Sequence, residues 1–80
     1  MAVLRLFAAA RTTAGTGLDH VPGATVADVL TAASRRYGRA FELLLPSCQV
    51  WVNGVPAAPQ ALVDDADEVG ILPPVSGGAT

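Results

Sequence analysis

The residues of this chain best placed to take part in chemistry lie together in the stretch Pro73-Pro74-Val75-Ser76-Gly77-Gly78, with Ala79 and Thr80 after it. Two prolines stop hydrogen-bonded strand pairing and hold the chain extended as it leaves a sheet. Pro74, Val75, Ser76 and Gly77 are then expected to carry Gly78 outward at about 3.3–3.6 Å per residue. Glycine has no Cβ, so Gly77 and Gly78 can thread a narrow channel and bring their main chain close to a nucleotide or a catalytic group. A freed carboxylate on Gly78 would be an unhindered electrophile once activated.

The other reactive side chains read more plainly. Cys48 alternates with Val50 and Val52 and is expected as a small core residue; a single cysteine also rules out an internal disulfide and fits a reducing, cytoplasmic setting. His20 has no companion ligands at useful spacing, and Asp64, Asp65, Asp67 and Glu68 lack the spacing of a calcium loop, so no metal is expected. The acidic run reads as a solvated turn. No nucleophile, base and orienting group occur together, which argues against an autonomous enzyme.

Eighty residues allow one domain, and 51% hydrophobic against 15% charged residues exclude a disordered chain. The cations are five arginines, with no lysine, and the net charge is −2. Such a balance gives no electrostatic grip on nucleic acid or anionic lipid, and no apolar run is long enough to span a membrane.

The elements that must position the tail follow from periodicity. Residues 2–8, AVLRLFA, read as a strand with Leu4 and Leu6 inward and Val3, Arg5 and Phe7 on the other face. Residues 11–17 read as a polar turn leading into LDHV, a second strand antiparallel to the first. Thr25 caps a helix supported by Asp28 and ended by Gly38, its inner face formed by Val26, Val29, Leu30, Ala33 and Tyr37. AFELLLP reads as a turn or single helical turn plugging one end of the core, because Pro46 stops it. In CQVWVNG, Cys48, Val50 and Val52 share one face and Trp51 takes the other, before an Asn53-Gly54 turn. VDDADEVGIL closes the fold with Val69 and Ile71 inward.

That order predicts an α+β fold of the β-grasp, ubiquitin-like kind: a mixed sheet of four to five strands on one main helix, with the first and last strands parallel and adjacent. The domain is expected over residues 1–73 and the tail over 74–80. Phe7 and Trp51 fall off the helix-packed face, with Leu72 beside them, and are candidates for a docking surface; Arg11 is a candidate to pair with an acidic partner.

LRLFAAAR, WVNG and LVDDADEVGILPPVSGG together resemble the ubiquitin-like sulfur-carrier family that includes the small subunit of molybdopterin synthase and the thiamine sulfur carrier. The likeness runs through nearly the whole chain. It implies that an adenylating, ubiquitin-activating-like enzyme uses ATP and magnesium to convert the Gly78 carboxylate to an acyl adenylate, from which a sulfur donor makes a thiocarboxylate. A second enzyme, such as the large subunit of molybdopterin synthase, then accepts the sulfur. The chain would be a protein cosubstrate, with no cofactor bound to itself. Sulfur delivery to cysteine, thiamine or a specialised metabolite, and attachment to other proteins as a modifier, are alternatives. Two departures stand out. Asp65-Ala66-Asp67 replaces the family's Asp-Gly-Asp turn, implying a less tight turn. Ala79 and Thr80 follow glycines that are normally terminal, implying that a processing protease first cleaves after Gly78.

Overall fold

The computed structural model describes residues 1–74, so the expectations for Val75, Ser76, Gly77, Gly78, Ala79 and Thr80 lie outside the described residues. The chain runs β1 (Ala2–Leu6), α1 (Ala8–Ala14), β2 (Leu18–Val21), α2 (Val26–Tyr37), α3 (Arg39–Leu44), a 3-10 turn (Leu45–Ser47), β3 (Gln49–Val52), β4 (Val55–Pro56) and β5 (Glu68–Leu72). The five strands form one mixed sheet in the order β2-β1-β5-β3-β4. Its central pair, β1 and β5, is parallel, with Arg5 opposite Gly70 and Leu6 opposite Ile71, as the β-grasp reading requires.

Strand alternation divides the sheet cleanly. Leu4, Leu6, Val69 and Ile71 are fully buried beneath α2, whose Val26, Val29 and Ala33 are buried against them. Thr25 Oγ1 accepts the Asp28 N–H at 3.2 Å while the Asp28 carboxylate accepts from Ala24 N at 3.3 Å, so two backbone donors at the start of the helix are satisfied. Asn53 and Gly54, with φ of 52° and 81°, form the tight turn joining β3 to β4.

Three local expectations are corrected. The segment between β1 and β2 is a helix followed by a short loop. Ala8-Ala9-Ala10 favour helix, Ala10 is fully buried, and the first strand accordingly ends at Leu6. AFELLLP falls within the six-residue helix Arg39–Leu44 and the 3-10 turn that continues it, because Phe41 inserts completely into the core and meets Tyr37 edge-on at a centroid distance of 5.1 Å. The acidic segment is a tight turn despite Ala66: Asp67 N donates to Asp64 O at 3.1 Å, and Ala66 does not need positive φ. It is also knitted to the neighbouring strand, since Asp67 accepts from Asn53 Nδ2 and Glu68 N donates to Asn53 Oδ1, both at 2.9 Å. The Asn53 bond is the main reason that the Asp67 carboxyl is held below its ordinary range.

Tyr37, the only tyrosine, donates its hydroxyl to Asp19 across the gap between α2 and β2. Burial first, and the Asp19 carboxylate second, push its phenol up to about 12. The folded state therefore favours the neutral phenol, and this stabilisation is complete below the ordinary phenol range and lost as pH rises through about 12. Alkaline absorbance titration should give a midpoint near 12 in the native protein against 10.0 in denaturant. Equal midpoints would remove the Tyr37–Asp19 contact from the account.

Candidate functional site

With one face of the sheet under α2, the residues of alternate parity must face outward. On the central strands these are Arg5 of β1, Trp51 of β3, and Glu68, Gly70 and Leu72 of β5; Phe7, just after β1, joins them. They line a groove of about 290 Å³. Phe7 is 45% exposed and Leu72 36%, and the half-buried Trp51 lines the same groove, so three large apolar side chains share one outward face.

Local structure explains the presentation of Phe7. Its N–H donates to Ile71 O at 3.2 Å, extending the β1–β5 ladder by one bond, and the next residue, Ala8, turns the backbone away with φ of 50°. The ring is thus fixed at the point where the chain departs from the sheet. Beneath it lies Gly70: a Cβ there would stand 3.7 Å from Phe7 Cε2 and touch nothing else, so the missing side chain is what keeps the groove floor low. Leu72, on the same strand, leads into Pro73, which is buried, and Pro74, which is exposed. The groove and the root of the tail are therefore contiguous.

The rim is polar. Arg5 Nε donates to Glu68 Oε2 at 2.7 Å, with both side chains about half exposed. Such a pair contributes little to stability, roughly 0–1 kcal/mol, but it places a cation and an anion at fixed points beside the apolar floor. The Trp51 indole N–H is buried and meets no acceptor among the described residues. Unpaired buried donors are uncommon, and this one belongs to the same apolar patch.

Phe7, Trp51 and Leu72 are thus brought together as candidate docking residues, while Arg11 is not. Arg11 lies on α1, where its side chain folds over Gly17 and takes no part in the groove. Arg5, Glu68 and Gly70 belong to the groove and were not singled out by sequence. The signal existed: placing Val69 and Ile71 inward forces Glu68, Gly70 and Leu72 outward, and the parallel pairing sets Gly70 opposite Arg5. Cys48 is half-buried against the core, its Sγ 3.4 Å from Leu44 O, and burial pushes its thiol up, away from nucleophilic thiolate. His20 is exposed on the outermost strand.

Comparison with known proteins gives a consistent picture. A sequence model of the ThiS family matches residues 4–78. A molybdopterin synthase sulfur carrier subunit of Pyrenophora tritici-repentis is 39% identical over 79 residues, covering 90% of this chain and 84% of that protein. Among solved structures, small archaeal modifier protein 1 of Methanosarcina acetivorans superposes with a TM-score of 0.87 at 32% identity, over 96% of this chain and 95% of that one. A putative molybdopterin converting factor subunit 1 from Pyrococcus furiosus superposes with a TM-score of 0.80 at 26% identity, over 92% and 97% respectively.

Proposed function

We propose that this chain, which belongs to the ThiS family, is a sulfur carrier that bears the transferred atom on Gly78 as a thiocarboxylate. The observation that carries the reading is where the family match stops: it begins in β1, runs through the whole sheet and ends at Gly78, the second of the paired glycines. At least two residues follow, so hydrolysis of the Gly78–Ala79 peptide bond must first free the carboxylate. An adenylating partner then joins that carboxylate to the α-phosphorus of ATP, releasing pyrophosphate. A sulfur nucleophile forms the C–S bond as the C–O bond to AMP breaks. The thiocarboxylate sulfur then attacks the substrate held by the acceptor enzyme, of which a molybdopterin synthase large subunit is the favoured example, and water breaks the Gly78 C–S bond, so that the sulfur stays with the acceptor and the Gly78 carboxylate is regenerated for another round. The groove of Phe7, Trp51 and Leu72 holds the carrier on these partners while the tail reaches inside.

Mass spectrometry of protein isolated from its native cells tests the chemistry. The expected species ends at Gly78 and carries sulfur in place of one carboxylate oxygen. Thiocarboxylate on chains that retain Ala79 and Thr80 would refute the processing step. A second reading, attachment to other proteins, is favoured by the 32% identity to a small archaeal modifier protein; it shares the adenylate and differs in the fate of the acyl group. Isopeptide adducts of Gly78 in the same sample, without thiocarboxylate, would select it.

The docking role has its own test. Gly70→Val raises the groove floor, yet its Cβ meets only Phe7 at ordinary contact distance. Stability should change by no more than about 0.5 kcal/mol. Affinity for the adenylating partner should fall about tenfold, roughly 1.4 kcal/mol. Unchanged affinity in a calorimetric titration would move docking off this face.

A further inference from the structure

An antiparallel edge strand leaves every second residue with its N–H and C=O directed outward, ready to pair with another strand. In β2 the outward residues are Leu18 and His20, because Leu6 N donates to Gly17 O and the β1–β2 register then assigns the inward bonds to Asp19 and Val21. All four of their outward groups are already occupied by side chains of the same molecule. Thr16 Oγ1 accepts from Leu18 N at 3.3 Å and donates to Leu18 O at 2.9 Å. Asp19 Oδ1 accepts from His20 N at 2.8 Å, and Arg36 Nη1 donates to His20 O at 2.8 Å. Arg36 also meets Asp19 Oδ2 at 3.1 Å, and Tyr37 donates to that same oxygen, so the last turn of α2 locks the arrangement. At the opposite edge, β4 is two residues long and its Pro56 has no N–H to offer.

We propose that Thr16, Asp19 and Arg36 form a guard that closes the β2 edge, and that without it this edge pairs antiparallel with the β2 edge of a second copy. The occupant is a second copy because the strand is self-complementary about a twofold axis: antiparallel pairing lets each Leu18 and His20 meet outward groups of the same kind. The exposed Leu18 side chain would add apolar contact to the pairing. With the guard in place, partners that read proteins by adding a strand find no free ladder at the β2 edge. This holds whether the tail carries sulfur or joins other proteins.

Sedimentation equilibrium on the full chain and on a Thr16→Ala/Asp19→Ala/Arg36→Ala variant tests the guard. The unaltered protein should remain monomeric, and the variant's average mass should rise with concentration toward twice the monomer's. Amide exchange at Leu18 and His20 should slow in step. Thr16→Ala/Arg36→Ala, which spares the Asp19–Tyr37 contact, is the second variant should the triple one lose its fold; it frees both groups of Leu18 and the His20 carbonyl, and it should dimerise more weakly because Asp19 Oδ1 still accepts from His20 N. Adding His20→Pro, which removes an outward donor, should return either variant to monomer. A folded variant that stays monomeric overturns the proposal. So does a dimer whose Leu18 and His20 amides exchange freely, or one that persists with proline at residue 20.

Discussion

In a chain ending at residue 78, Gly78→Val is expected to reduce adenylation by the partner enzyme by on the order of a hundredfold, the scale of loss when a reacting atom is held about 1 Å from its place. Two effects combine. A branched Cβ beside the carboxylate crowds the approach to the α-phosphorus, and it widens the segment that must pass into an enclosed active site. Docking is separate from this, since Phe7, Trp51 and Leu72 are untouched, so binding of the variant should remain within about twofold while pyrophosphate exchange collapses. The same assay on chains ending at Gly78 and at Thr80 measures the effect of the two extra residues directly. Full adenylation of the Gly78→Val chain would remove the reason for a glycine at the reacting end and, with it, the carrier mechanism proposed above.

The largest effect on stability is expected from Phe41→Ala. Phe41 is the bulkiest fully buried side chain among the described residues, packed edge-on against Tyr37 where α3 closes the end of the core. Truncation removes the ring's burial and leaves a cavity in a close-packed interior, which costs about 3–5 kcal/mol. A chain of this length is stable by roughly 4–12 kcal/mol, taking about 0.05–0.15 kcal/mol per residue. The variant should therefore unfold at markedly lower urea, with an unchanged dependence on denaturant. Phe7→Ala serves as the comparator, because its half-exposed ring contributes little to the core; a similar loss from both would contradict the assignment of Phe7 to the surface.

Most of the fold was legible wherever one face of an element is buried and the other wet. The inward pairs Leu4–Leu6 and Val69–Ile71 were readable because strand alternation leaves no other choice, and the capped helix from Thr25 to Gly38 because its ends and its stripe agree. What was not legible depended on packing between distant residues. Ala8–Ala14 has no strong stripe, so its helicity appears only once Ala10 is buried against the sheet. Phe41 looked like part of a turn because six residues cannot display a helical period, yet the core claims the ring. The Ala66 turn is held by Asn53 from another strand, a contact that no local rule anticipates. The groove was half legible: Phe7, Trp51 and Leu72 followed from parity, whereas Arg5 and Glu68 looked like ordinary solvated charges until the sheet brought them 2.7 Å apart.

The strand at the middle of the sheet is also the last of the described strands to be made. β5 pairs with β1 on one side and β3 on the other, so a nascent chain halted before residue 68 leaves the sheet split, with Val69 and Ile71 missing from its centre. Folding of the sheet must wait until β5 has left the ribosome, since closing the β1–β5 pair joins positions some 65 residues apart. Prematurely terminated products thus lack the platform as well as the tail. On the function proposed above they cannot sit on a partner as decoys, and any molecule that docks through the groove has been translated through the strand that leads to the tail.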